Sequence, residues 1–135
     1  GYSNIRIIKA KGKNLPFNNE EFDYVTCIGT FANFGKEKYL ILSEMKRVLR
    51  NNGRILISVY SDKALSERLK SYKKIKVPLI SLNKDGTVIF DDGGKEGISE
   101  QFSKAQLKEI FNKVNLRIEK IVTAGIGYIC LLSKV

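Results

Sequence analysis

The sequence contains no histidine, and this absence removes more chemistry than any other. Histidine is the commonest general base near neutral pH and the commonest metal ligand. A Ser-His-Asp or Cys-His hydrolytic centre cannot be built from this chain alone. Cysteine is scarce too. Cys27 and Cys130 stand singly inside apolar runs, with no partner at ligand spacing, so both read as buried free thiols and no metal site is expected. No apolar run approaches the ~20 residues that cross a bilayer, and no stretch reads as a signal peptide. The expectation is a cytoplasmic protein with no membrane partner. Acidic side chains are outnumbered, 14 against 24 basic ones, for a net charge of +10. Such an excess draws a protein toward polyanions. The lysines are scattered, however, without a block of five or six like charges, which reads first as a solvated surface.

What is present fits one globular domain spanning 1–135, with 43% hydrophobic and 28% charged residues. "NIRIIKA" at 4–10 reads as a short strand and 11–21 as a loop, in which Pro16 fixes its own backbone and extends Leu15. "FDYVTCI" at 22–28 reads as a strand buried on both faces. A helix is predicted over 36–50, because Ile41, Leu42, Met45, Val48 and Leu49 form one stripe. "NNG" at 51–53 is expected to stop it, ahead of an apolar strand at 54–60. This alternation argues for an α/β domain with mostly parallel strands.

The stretch 62–102 differs in kind. It reads as an inserted cap: a helix over 62–74, a β-hairpin turning at "NKDG" with Gly86 at positive φ, and a flexible "DDGGKEG" connection. Ser103 and Gln106 have capping-box spacing and open a second helix with Leu107, Ile110, Phe111 and Val114 buried. The chain closes on two strands too close in sequence for a crossover helix, hence antiparallel.

The order of short motifs then carries a resemblance. Leu15-Pro16-Phe17, then Phe22-Asp23-Tyr24-Val25, then Glu44-Met45, Arg47-Val48-Leu49 and Gly53 resemble the class I S-adenosylmethionine-dependent methyltransferases. The final helix and strand resemble the end of the same family. The resemblance implies a partial Rossmann-like sheet, mostly parallel with an antiparallel C-terminal strand pair, and S-adenosylmethionine as cofactor. It also implies that the family's first two strands and glycine-rich loop lie upstream of residue 4. Two expectations follow. The isolated piece is expected to bind the cofactor weakly and to be inactive. The bared edge of "FDYVTCI" is expected to pair with "NIRIIKA" or with a second copy, giving a possible homodimer.

Under this resemblance, Lys11, Gly12, Lys13, Asn14 and Leu15 flank the adenine, and Cys27, Ile28, Gly29 and Thr30 lie along the methionine part of the cofactor. The family usually has an aspartate at the Lys11 position, and lysine cannot accept the adenine amino hydrogen bond. Phe31 and Phe34 would wall the methyl site, with core packing as their alternative. Tyr60, Ser61, Glu100, Gln101 and Phe102 would line the acceptor pocket, with a loop into the Ser103 cap as the alternative for the last three. Asp23 reads as fixing a strand start. No side chain is assigned a catalytic role, since methyl transfer from a sulfonium needs alignment more than covalent help. The acceptor, a small molecule or a nucleic acid, is left open. The competing function is a non-catalytic basic module binding RNA or another polyanion.

Overall fold

The computed structural model describes residue 1 and residues 3–135. Its main sheet has four strands: β1 (Phe22–Cys27), β2 (Leu49–Tyr60), β6 (Leu116–Ala124) and β7 (Gly127–Lys134), in the order β1-β2-β7-β6. Only β1 and β2 are parallel; β2–β7 and β6–β7 are antiparallel. The sheet is thus mixed rather than mostly parallel. One crossover helix, α1 (Lys38–Val48), joins the parallel pair, whereas a tight turn with Gly125 at φ +55° joins β6 to β7.

Two helices cover one face of this sheet. Ile55, Ile57 and Val59 of β2 pair across to Leu132, Cys130 and Tyr128 of β7, so their side chains share that face. The stripe of α1 and that of α3 (Lys104–Lys113) bury against them in a single core. Full burial of aliphatic side chains of this kind, at roughly 1.5–3 kcal/mol each, is the main force holding the layers together. α3 starts as its sequence predicts: the Ser103 Oγ accepts from the Gln106 N–H at 3.1 Å, and Gln106 Oε1 accepts from the Ser103 N–H at 2.8 Å.

Five expectations are corrected. Residues 5–10 form no regular element, and they neither pair with β1 nor cover its edge. Isoleucine richness alone does not make a strand where no neighbour supplies hydrogen bonds. β1 is not buried on both faces: it is an edge strand and Tyr24 is 76% exposed. The first helix is shorter than 36–50, because two 3-10 turns, Phe31–Asn33 and Gly35–Glu37, precede it and Leu49 already has extended angles. "NNG" is no helix stop. It is the irregular start of β2, where the register changes from Phe22–Leu49 to Tyr24–Arg54. Gly53 serves close approach there: a Cβ would lie 2.6 Å from the Asp23 carbonyl oxygen and from the Leu49 side chain. Finally, "DDGGKEG" is not all connection, since Glu96 and Gly97 begin a strand.

Between β2 and α3 the chain forms α2 (Leu65–Lys74) and a separate antiparallel sheet, β3 (Leu79–Leu82), β4 (Val88–Asp91) and β5 (Glu96–Ser99). The predicted hairpin is present, with Gly86 at φ +82°. The insert leaves and rejoins the main body at the carboxyl end of β2: the Phe102 N–H donates to Tyr60 O at 2.9 Å, and the Asp62 N–H donates to Phe102 O at 3.0 Å.

The Leu15-Pro16-Phe17 turn is clamped to α1. Arg47 donates to Leu15 O (3.0 Å) and Phe17 O (2.8 Å), while Glu44 accepts from the Leu15 N–H (2.8 Å) and from two Arg47 nitrogens. These bonds, that from Arg47 foremost, hold the Glu44 carboxyl at a pKa of about 2, below its ordinary 4.5. A depressed carboxyl stabilises the fold above its unfolded pKa and loses that contribution as pH falls through the folded one. The thermal midpoint is therefore expected to fall between about pH 5 and pH 2. In Glu44→Gln this fall should be shallower, starting from a lower midpoint at pH 7. Parallel curves for the two proteins, measured by circular dichroism, would refute the assignment.

Candidate functional site

The carboxyl ends of β1 and β2 lie side by side. There β1 breaks at Gly29, whose φ of +70° suits glycine. The Gly29 N–H donates to Ser58 Oγ on β2 at 2.8 Å, tying the two strand ends together. A Cβ on Gly29 would meet no protein atom within 4 Å, so packing does not demand the glycine. Ser58 and Tyr60 sit opposite Ile129 and Gly127 of β7. The result is a cleft of about 230 Å³ bounded by Gly29, Ser58, Tyr60, Ile126, Gly127 and Ile129. It lies outside the strand ends, where ligands bind in open α/β sheets.

Tyr60 is the chemically distinctive wall. Burial, and next the neighbouring Tyr72 phenol, raise its pKa, so it stays protonated at neutral pH. Its ring is stacked by the Arg68 guanidinium, 4.5 Å from the ring centre. Arg68 is fully buried and forms no salt bridge among the described residues. Neutral acceptors hold it instead: Gln101 Oε1 at 2.9 Å, Ser99 O at 3.0 Å and Ser99 Oγ at 3.1 Å. Its Nε has no partner.

The candidate residues from the sequence separate into three groups. Gly29 and Tyr60 share the cleft. Gly12, Leu15, Cys27 and Phe34 line a second, apolar groove of about 380 Å³ between the loop, β1 and α1. Lys11 pairs back onto Asn14 in a tight turn, and Lys13 is ion-paired with Glu37. Ile28 and Thr30 are exposed near Gly29, and the Thr30 hydroxyl donates to Ile28 O. The third group is structural. Phe31 is wholly buried, with Phe34, Phe102 and Phe111 around its ring. Phe102 is buried beside it. Glu100 takes a part-buried ion pair from Lys38 at 2.9 Å, and Gln101 holds Arg68. Ser61 is buried, its Oγ accepting from the Lys63 N–H. Asp23, read as fixing a strand start, accepts two hydrogen bonds from Arg50. Sequence reasoning missed Ser58, Arg68 and the β6–β7 turn. Ser58 and the turn glycines were visible only as a strand residue and a turn, and Arg68 only as a cation on a lysine-rich helix.

Cys27 and Cys130 are not chemical candidates. Burial raises both thiols, Cys130 to about 11, which keeps them protonated.

Residues 1–57 match the family described as "Methyltransferase domain". The match covers less than half of the chain. The match includes the Leu15-Pro16-Phe17 turn, β1, Gly29 and α1. An uncharacterized protein of Methanocaldococcus jannaschii is 36% identical over 72 residues, which is 53% of this chain and 35% of that one. Solved structures share the fold. A protein of Pyrococcus horikoshii superposes with a TM-score of 0.73 at 20% identity, over 98% of this chain and 61% of its own. A SAM-dependent methyltransferase of Methanosarcina mazei gives 0.71 at 15% identity, over 93% and 65%. A Burkholderia thailandensis 1,6-didemethyltoxoflavin-N1-methyltransferase, solved with its substrate and S-adenosylhomocysteine, gives 0.66 at 15% identity, over 96% and 50%. The chain thus spans about a third of the curated relative and less than two-thirds of these structures.

Proposed function

We propose that this chain supplies the acceptor side of an S-adenosylmethionine-dependent methyltransferase cleft. The observation that carries the reading is the meeting of Gly29, Ser58 and Tyr60 in one cleft at the carboxyl ends of the parallel pair, within and just beyond the stretch matching the family. The residues present fit the cofactor in part. The bare backbone at Gly29 leaves room for an amino-acid chain along Cys27 to Thr30, and in the turn of Lys11 to Leu15 the backbone of Gly12 and Lys13, outside the Lys11–Asn14 and Leu15 hydrogen bonds, is left for an adenine. Lys11 does not fit the usual pattern, because an ammonium cannot accept from the adenine amino group. The cofactor, when bound, supplies the methyl group and the thioether leaving group. The chain's own part is orientation and exclusion of water. Tyr60, protonated and held by Arg68, offers a fixed phenol to the acceptor. The Ser58–Gly29 bond keeps the two strand ends in register. Lack of histidine suits such a reaction, which needs no strong general base when the acceptor is already nucleophilic.

The test is a ¹⁵N–¹H correlation spectrum of the chain titrated with S-adenosylhomocysteine. Weak binding, on the order of millimolar, is expected for half a cleft, consistent with ordinary efficiency limits for small ligands. Shifts should concentrate at the amides of residues 11–15 and 27–30. A spectrum unmoved at millimolar ligand, or shifts confined to α3 and β6, would rule the reading out.

A further inference from the structure

Two more depressions continue from the cleft around the end of the sheet. One, of about 640 Å³, is bounded by Ser61, Lys63, Ser103, Lys104, Gly125 and Tyr128. It shares Ile126 and Tyr128 with the cleft. The other, of about 500 Å³, runs between α3 and β6 along Lys104, Lys108, Arg117, Ile118 and Ile121. Lys104 belongs to both, and its ammonium lies 5.5 Å above the Tyr128 ring. The three spaces form one track from Tyr60 outward.

The charge in the groove between α3 and β6 is one-sided. Lys104, Lys108 and Arg117 line it, and among the described residues none of them forms a salt bridge. No acid lines the groove between α3 and β6. The middle depression is mixed in charge, bordered by Asp62 and Glu67 as well as Lys63 and Lys104; Glu67 pairs with Lys70, and Asp62 lies within 3.4 Å of the Tyr128 and Ser61 hydroxyls. Lys104 and Lys108 are one helical turn apart, so they project together, and Arg117 faces them from β6. The rest of the lining is mostly aliphatic: half-buried Ile118 and Ile121 and exposed Val135, with Asn112. Unpaired cations beside aliphatic side chains match a strand that presents phosphates on one side and sugars and bases on the other. Each outer depression is already the size of a whole small-ligand site. Their continuity therefore suits a polymer better than a compact acceptor. A duplex does not fit, because a paired base cannot reach a cleft at the strand ends.

We propose that the α3–β6 groove, continuous with the cleft through Lys104, is the track for a single-stranded nucleic acid. That the bound strand is also the methyl acceptor rests on the function proposed above; that it binds does not.

The experiment is fluorescence anisotropy of a labelled oligouridylate, about 12 nucleotides long, a length within known single-strand site sizes. It uses the full chain and its Lys104→Ala/Lys108→Ala/Arg117→Ala variant. The control variant, Lys73→Ala/Lys74→Ala/Lys84→Ala, removes equal charge from exposed positions away from the track. Three lost phosphate contacts should lower the slope of log affinity against log salt by about 2, and weaken binding roughly 50–100-fold near 0.1 M salt. The control should stay within about 3-fold of the parent. Equal loss in both variants would overturn the proposal, leaving only diffuse charge. Equal competition by a polyglutamate of the same charge would overturn it in favour of an acidic peptide on the open edge of β6. No binding at low salt would overturn it outright. All substituted residues are exposed, and unchanged circular dichroism and melting would exclude unfolding as the cause. The outcome is separable from the S-adenosylhomocysteine titration, whose amide shifts lie on other residues.

Discussion

Phe31→Ala should cost this domain about 3–5 kcal/mol, the usual range for removing a buried phenylalanine. The side chain is wholly buried, ringed by Phe34, Phe102 and Phe111 with centroids 5.6–6.3 Å away. Truncation leaves a cavity between the 3-10 turn, the exit of the insert and α3, three elements that meet at no other aromatic contact among the described residues. Domains of this size are stable by about 5–15 kcal/mol in all, so the variant should sit close to its unfolding threshold. A melting temperature lower by about 10–20 °C is expected, read by circular dichroism or calorimetry. The same measurement chooses between the two roles that the sequence allows this residue. A wall of an acceptor pocket faces empty space, and its loss would cost under about 1 kcal/mol while changing ligand contacts. A small stability change would therefore return Phe31 to the site.

The second large effect is expected at Arg68. Arg68→Met keeps an unbranched side chain of similar length but removes every donor. The acceptors of Gln101 and Ser99 are then left unsatisfied, at about 1–3 kcal/mol each, partly offset because a cation is no longer buried. A net loss of about 2–4 kcal/mol follows. Its location is more telling than its size. Arg68 joins α2 to β5 and to the turn at Gly86, and stacks on Tyr60 of the main sheet. Amide hydrogen exchange should accelerate across β4 and β5 while β2 and β7 remain protected. Arg68→Lys should behave almost as badly, since an ammonium offers neither the planar fork nor the stacking face. Uniform acceleration over the whole molecule would show that Arg68 does not act at the junction.

These two residues also mark what the sequence could and could not disclose. The antiparallel β6–β7 pair, the Ser103 cap, the turn at Gly86 and the buried stripes of α1 and α3 were legible because each depends on local spacing. That β1 stops just before Gly29 and β2 at Tyr60 was legible through the order of motifs, which implies where strands end. The length of α1, the fate of "NNG" and the burial of β1 were not, because they depend on neighbours. Leu49 leaves the helix to pair with Phe22, and β1 loses one face because α1 and α3 lie together on the other. Arg68 reads as one more surface cation on a lysine-rich helix. Only the tertiary fold brings Ser99 and Gln101, more than thirty residues away, around it.

The placing of β7 has a consequence for how the molecule comes into being. The strand made last of the four lies inside the sheet, between β2 and β6. Until residues 127–134 leave the ribosome, β2 offers an open, apolar margin along Ile55 to Val59, and the core helices have only half a floor to rest on. Completion is therefore a single late event rather than a gradual accretion, and the nascent chain is most prone to pair wrongly just before that strand arrives.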